Sequence, residues 1–292
     1  MERYLLFLGC TIPARARNYE VSTRKVAERL GIEFVDTEEF ICCGFPLRDS
    51  DRFKAYLIGA YNLSVANNKG LNICTLCSSC TSFLSEVQHD LLNDTELREM
   101  VNNELSKIGL KFERPTEIRH FVRILNEDSY IRRIKENIKE GLDSISVSIH
   151  YGCHYLRPSH IFGKLEDLES PNTIHRILSC IDCKVLDYEG EKDCCGGPIL
   201  PVDEKTALGL SGNKLMNIEH AGADALVVVC PFCAVMFDGN QKAIRQEYGL
   251  KRDIPVLFLP QLIGLSFGFL PKELGFNLNV IKAKELLSRL SK

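Results

Sequence analysis

The sequence predicts an α/β fold built twice, as two tandem parallel-sheet domains related by internal duplication, with a helical connector between them. Three observations lead there. Cysteines recur in the same order in both halves, each half alternates strand-like and helix-like segments, and the stretch between them is helical and charge-rich. In the first half Cys10 precedes Cys42-Cys43-Gly44 and then Cys77-Ser78-Ser79-Cys80. In the second, Cys153 precedes Cys194-Cys195-Gly196 and then Cys230-Pro231-Phe232-Cys233. The paired cysteines recur at an offset of 152 and the C-x2-C pairs at 153. The approach to the lead cysteine repeats too, Phe7-Leu8-Gly9-Cys10 against His150-Tyr151-Gly152-Cys153.

The elements follow in order. Arg3 to Leu8 reads as a buried strand, Val21 to Leu30 as an amphipathic helix, and Glu33 to Asp36 as a short strand ending in the Cys42-Cys43-Gly44 loop. Arg52 to Asn68 reads as a helix, Leu71 to Leu76 as a strand, and another helix starts near Thr81. Asp94 to Glu140 reads as helical, its run Arg132-Arg133-Ile134-Lys135-Glu136 a solvated helix face. The second half then repeats the alternation: strand Ser144 to His150, helix Pro171 to Leu178, strand Lys184 to Tyr188 and the Cys194-Cys195-Gly196 loop. Helix Glu204 to Glu219, strand Ala225 to Val229 and a helix from Ala234 complete it. Strand–helix–strand alternation implies parallel pairing through right-handed crossovers, so each half is expected to be Rossmann-like. The expected boundaries are a first cysteine-rich domain at 1–92, the helical connector at 93–143 and a second cysteine-rich domain at 144–292.

Composition narrows the class. The chain has 292 residues, 45% of them hydrophobic and 26% charged, enough for two ordinary cores. A net charge of -3 gives no general pull toward nucleic acid. Tyr4 to Gly9 is too short for a signal-peptide core. The longest apolar stretches are 221–237, broken by Asp224, Pro231 and two cysteines, and 256–270, broken by Pro260 and Gln261; both fall short of a membrane span. A cytoplasmic protein is therefore expected, with no membrane span and no nucleic-acid partner. Thirteen cysteines, an odd number, point in such a chain to metal or redox chemistry rather than to a disulfide framework.

In open parallel sheets the C-terminal strand ends gather on one edge, where ligands bind. Each half places its three cysteine groups after three strands, so each set of five should converge. Glycine after each Cys-Cys pair suits a tight turn, and a C-x2-C at a helix start favours thiolate. Four thiolates satisfy tetrahedral zinc or a cubane 4Fe–4S cluster. A fifth suits a larger or distorted iron–sulfur cluster with a bridging thiolate, while structural zinc with one bystander cysteine per half stays open. Cys74-x2-Cys77-x2-Cys80 matches part of a ferredoxin run but lacks its fourth cysteine and proline.

The doubled Cys…Cys-Cys-Gly…C-x2-C pattern resembles the CCG cysteine-rich domain, and two copies resemble the B subunit of heterodisulfide reductases. The resemblance covers nearly the whole chain, including His150-Tyr-Gly-Cys-His154, Cys230-Pro-Phe-Cys233 with Phe237-Asp238, and Gln261-Leu-Ile-Gly264. It implies two non-cubane 4Fe–4S clusters, one on Cys10, Cys42, Cys43, Cys77 and Cys80, the other on Cys153, Cys194, Cys195, Cys230 and Cys233. It further implies a substrate cleft between them, where the disulfide joining coenzyme M and coenzyme B is reductively split and each cluster captures one sulfur. No Gly-rich dinucleotide fingerprint follows a strand, so electrons should come from a partner. By resemblance that partner is the ferredoxin-type C subunit, fed by the flavin-containing A subunit, in a larger complex with a hydrogenase or dehydrogenase. Methanogen members of the family usually read Cys-Cys-Pro at the first pair; here Cys43 leads into Gly44-Phe45-Pro46-Leu47-Arg48. That departure keeps open a sulfur-metabolising relative acting on another disulfide or sulfur carrier. A non-catalytic zinc or electron-transfer component is the third reading.

Of the remaining cysteines, Cys74 reads as a buried small hydrophobe, and Cys180-x2-Cys183 as structural or incidental thiols lacking further ligands. His89, His120, His160, His175 and His220 read as surface or core residues. His154 directly follows a ligand cysteine at a strand end. It is the candidate proton donor, or else a ring that packs on the cluster or hydrogen-bonds its sulfur.

Overall fold

In the computed structural model, which describes residues 2–290, the first sheet comprises β1 (Glu2–Phe7), β2 (Ile32–Val35), β3 (Asn72–Thr75) and β4 (Ile118–His120). Its order is β2-β1-β3-β4, with every pairing parallel. The second sheet comprises β5 (Ser146–His150), β6 (Lys184–Val185), β7 (Ala225–Val228) and β8 (Val256–Phe258), in the order β6-β5-β7-β8 and again all parallel. The cysteine repeat is thus a repeat of the fold. Helices cover both faces of each sheet, which is why the central strands read as unbroken apolar runs; all four residues of β7 are buried.

Helices Arg52–Lys69 and Glu204–Ala221 hold equivalent places and have the same length, 18 residues. Each starts from an aspartate whose side chain accepts a third-residue N–H, Lys54 N on Asp51 and Thr206 N on Asp203. Such a cap contributes about 1 kcal/mol and fixes the register of the preceding cysteine loop.

The structure corrects three local expectations. The segment 93–143 is not purely helical. Besides helices Thr95–Ser106, Phe121–Leu125 and Asp128–Asn137 it contains β4, which extends the first sheet beyond β3. A three-residue strand holding Arg119 shows no periodicity, and its conformation is set by pairing with β3. β8 likewise lies in what the sequence shows merely as an apolar stretch. Helices also begin earlier than expected, at Arg17, Ser78 and Pro231, which makes Cys77 and Cys230 the N-cap residues of their helices. Finally, the strand expected at 184–188 stops at Val185, and the chain loops on toward Cys194. The charge run at 132–136 lies as expected, its charged members exposed around buried Ile134.

The halves pack through crossed elements. Helix Arg17–Leu30 of the first lies on helix Leu259–Ser266 of the second, and Ser78–Asn93 lies on the short helix Cys153–Leu156. The Tyr19 ring stacks on Phe258 at 4.1 Å, while Tyr155 meets His120 edge-on at 5.3 Å, so each half inserts a tyrosine against the last strand of the other. Gln261 seals the start of its helix by accepting Phe258 N–H and donating to Leu274 O and Asn279 Oδ1. Among the described residues no helix is long and apolar enough to cross a membrane.

Candidate functional site

Two glycines bend the chain where the cysteine pairs must turn inward. Gly44 (φ +97°) and Gly196 (φ +83°) adopt left-handed conformations, and a Cβ there would lie 2.4 Å from Ala55 O and 2.5 Å from Ala207 O. Backbone cannot yield to such contacts, so no side chain fits at either position. The motif's glycine is therefore steric in both halves.

All thirteen cysteines are free thiols. Ten of them form one continuous row. Sulfur–sulfur interactions link Cys10 to Cys42, Cys42 to Cys43, Cys43 to Cys80 and Cys80 to Cys77. The second half repeats this from Cys153 to Cys194, Cys195, Cys233 and Cys230. The two rows meet where Cys77 touches Cys230. Every cysteine expected as a ligand is in this row. Cys74, Cys180 and Cys183 are not. Cys74 is wholly buried with its Sγ toward Thr75 O, Cys180 faces Arg176 O at 3.1 Å, and Cys183 faces Ile145 O at 3.8 Å.

The row holds negative charge unevenly. Cys43 and Cys230 lie well below the usual thiol range because adjoining thiols donate to them, Cys42 and Cys80 to the one and Cys233 and Cys77 to the other. Donation from Cys153 and Cys195 likewise brings Cys194 to about 2. Their donors are pushed upward in turn, Cys80 by its bond to Cys43 and Cys153 by its bond to Cys194. Sulfurs packed this densely compete for protons, and cations would release them.

Spacing bears on which cation. Ligand atoms around one zinc lie roughly 3.5–4 Å apart, from bonds of 2.0–2.3 Å. Among the described residues one trio of histidine, cysteine or carboxylate ligand atoms lies mutually within 4.8 Å: His150, Cys195 and Cys233. The five thiols of the first half contain no such trio. Five sulfurs exceed the four ligands of one zinc ion and suit a larger sulfur-ligated body.

Eight of the ten, Cys10, Cys43, Cys77, Cys80, Cys153, Cys195, Cys230 and Cys233, line one cavity of about 300 Å³ between the halves. Phe45, Arg48, His154, Pro198, Pro201 and Phe232 also line it. The Arg48 guanidinium sits 5.1 Å from the centre of the Phe45 ring, whose edge meets His154 at 4.7 Å. His154 Nδ1 is 3.3 Å from Cys153 Sγ, and burial lowers the ring's pKa, so the ring is neutral at pH 7.

Sequence reasoning passed over three residues that shape this site. Tyr19 OH and His120 Nε2–H, both from the first half, donate to the carbonyl of Val229 at 3.3 and 3.0 Å. Val229 immediately precedes Cys230, so these bonds place the meeting point of the rows. His120 Nδ1 accepts Val122 N–H, and burial pushes its pKa down to about 3. The third is His150, fully buried, with Nδ1 3.2 Å from Glu191 O and Nε2 without a hydrogen-bond partner. Its place in His150-Tyr-Gly-Cys-His154 was the available signal. His89, His160 and His175 pair with other rings or hydroxyls away from the cavity.

The cysteine-rich domain family matches residues 4–85 and 147–238, one match per half. The B subunit of the ferredoxin/F(420)H(2)-dependent CoB-CoM heterodisulfide reductase of Methanosarcina acetivorans is 31% identical, across 99% of this chain and 97% of its own. The chain belongs to the heterodisulfide reductase B-subunit family of tandem cysteine-rich domains. The 8-methylmenaquinol:fumarate reductase membrane anchor subunit of Wolinella succinogenes is also similar, 28% identical over 98% of this chain and 99% of its own. A crystal structure of a hypothetical protein from Helicobacter pylori shares the fold, with a TM-score of 0.78 at 20% identity. That alignment covers 96% of this chain and 52% of the other, so this chain spans about half that protein's length.

Proposed function

We propose that this chain is the iron–sulfur catalytic subunit of a heterodisulfide reductase, holding two non-cubane 4Fe–4S clusters and splitting the coenzyme M–coenzyme B heterodisulfide between them. The observation that carries the reading is the single thiol row lining one cavity and meeting at Cys77 and Cys230. Cys10, Cys42, Cys43, Cys77 and Cys80 would hold one cluster, and Cys153, Cys194, Cys195, Cys230 and Cys233 the other. The donor set fits: it is all sulfur and partly thiolate, with five sulfurs in each half where one zinc takes four ligands. When bound, the clusters supply electrons singly to the two sulfurs of a disulfide.

The chain's own residues do the rest. Phe45, Pro198, Pro201 and Phe232 strip water from the disulfide, and Arg48 faces an anionic arm. Cleavage of R–S–S–R′ takes two electrons and two protons and releases two thiols. We assign one proton delivery to His154, whose ring lines the cavity beside Cys153. Neutral at pH 7, the ring must relay a proton drawn from solvent. Electrons come from a ferredoxin-type C subunit, fed by a flavin-containing A subunit, in a larger assembly with a hydrogenase or dehydrogenase. The lip Phe45-Pro46-Leu47-Arg48 supports a second reading, in which a relative of this enzyme acts on another anionic disulfide or sulfur carrier.

The test is turnover with an artificial one-electron donor on coenzyme M–coenzyme B heterodisulfide and on a panel of other disulfides. The reading expects the heterodisulfide to be preferred and NADH alone to give nothing. Preference for another disulfide favours the second reading, and NADH-driven turnover by the isolated chain contradicts both.

A further inference from the structure

The helices that follow the two cysteine turns, Arg52–Lys69 and Glu204–Ala221, align without a gap from capping aspartate to closing glycine. Their eleventh residues both reach back to the cysteine loop, but with different chemistry. In the first half this is Asn62, fully buried, whose Oδ1 accepts Ile41 N–H at 3.0 Å and whose Nδ2 donates to Cys42 O at 2.9 Å. In the second it is Lys214, whose Nζ donates to Gly190 O. One turn earlier on the same face, Ser211 Oγ donates to Cys195 O at 2.6 Å, so this face looks onto the second group of sulfurs. Lys214 is 4% exposed, the one lysine or arginine buried to this degree among the described residues. A tether needs only a donor, which a neutral amide supplies, whereas a buried ammonium is costly unless an opposite charge answers it. Among the described residues no carboxylate pairs with Lys214. The negative charges that act on it are exposed Asp193, from a distance, and then Cys195, Cys233 and Cys194. His150, beside the same sulfurs, adds no charge of its own: burial, and then the charge of Lys214, push its pKa down to about 3.

We propose that Lys214 tunes the second sulfur centre, its buried charge making that centre the better electron acceptor of the two. Each one-electron reduction adds a negative charge to the group it enters, and a desolvated positive charge in the same surroundings favours the reduced form. Burial keeps that field from being screened. Arg48, a cation at the cavity in the first half, is partly solvated and acts more weakly. Lys214 does not line the cavity, so it acts through the sulfurs and touches no substrate. Splitting a disulfide takes two electrons that arrive one at a time. With unequal centres the first electron settles on the second half's site, and the next fills the first half's.

This inference rests on the reading that each cysteine group holds an iron–sulfur cluster, and the experiment separates the two. Intact chain, purified anaerobically, is titrated with a reductant and followed by electron paramagnetic resonance, each signal being assigned to its half by its loss in Cys43→Ala or Cys195→Ala. The expected result is that the second half's signal titrates at the higher potential. In Lys214→Gln its one-electron reduction equilibrium should fall on the order of tenfold, ~59 mV, with the first half's signal unmoved. Lys214→Arg, which keeps the charge, should restore the potential. A second signal that shifts less than about twofold in Lys214→Gln, or that falls equally in Lys214→Arg, overturns the inference and leaves the cluster reading standing. Should Lys214→Gln lose the second cluster, Lys214→Met, which keeps the stem and drops the charge, is read in the same way. If that variant loses it too, the unaltered chain decides, and a second midpoint at or below the first contradicts the inference. Metal analysis comes first: zinc without iron fails the cluster reading, and this inference with it.

Discussion

Across the pseudo-repeat the strand order and the cysteine turns are kept, while several side chains beside the sulfurs are not. Gly44 and Gly196 turn the chain against the same carbonyl of the following helix, Asp51 and Asp203 cap that helix alike, and both thiol rows run in the same order. By contrast Phe7 faces His150 across the repeat, and Arg48 of the first lip corresponds to Leu200 of the second. Steric requirements bind both halves equally, because a misplaced backbone misplaces every sulfur. Side chains beside the cysteine turns are free to diverge, and they have.

The largest effect should come from the shared part. Gly44→Val and Gly196→Val each combine backbone strain with a contact against main chain, at a cost of about 3 kcal/mol or more. Each variant is expected to melt roughly 6–12 °C lower and to lose the metal of its own half. Thermal unfolding with metal analysis checks this, and equal loss from both halves would show that the sites do not form separately.

Next come the bonds that set the halves against each other. His120→Leu removes a donor to Val229 O and strands Val122 N–H, for roughly 1–3 kcal/mol, whereas Tyr19→Phe removes one donor from a carbonyl that keeps another, for about 0.5–1 kcal/mol. Chemical denaturation should rank them in that order. The double variant should exceed their sum, because only then is the carbonyl left bare.

His120 also makes stability depend on pH. Its folded pKa, pushed down to about 3 by burial, lies below the unfolded value near 6.5, so the unfolded chain binds the extra proton. The contribution is full above pH 6.5 and falls by up to about 1.4 kcal/mol per unit below it, continuing until about pH 3. Denaturation at pH 7 and pH 5.5 should therefore show a loss that narrows in His120→Phe; an unchanged slope would contradict the assignment.

The smallest effect concerns the lips. Arg48 is partly solvated, and Arg48→Leu copies the second half. It should raise KM several-fold for disulfides with an anionic arm on the first half's side, leaving kcat within about twofold. Equal effects on neutral disulfides would remove the charge argument.

The repeat was legible because cysteine spacing is a local property of the chain, and parallel topology then carried all ten thiols to one edge. The contact between Cys77 and Cys230 was not, since spacing within a half says nothing of how two halves dock. β4 and β8 escaped for want of length: three paired residues carry no period. His120 read as a core residue, which it is, but its bond to Val229, 109 residues away, is made by tertiary packing alone. His150 stood in a motif with Cys153, but its contact with Glu191 O, 41 residues on, is again made by tertiary packing.

The central claim is that two iron–sulfur sites, one on each half's five cysteines, share one cavity. Iron, sulfide and zinc content per chain, measured anaerobically on the unaltered protein, Cys43→Ala and Cys195→Ala, test it most directly. The expected result is a brown protein with about eight iron and no zinc, about half the iron in each variant, and a different paramagnetic signal lost from each. A colourless protein with stoichiometric zinc, or variants that lose the same signal, would contradict it.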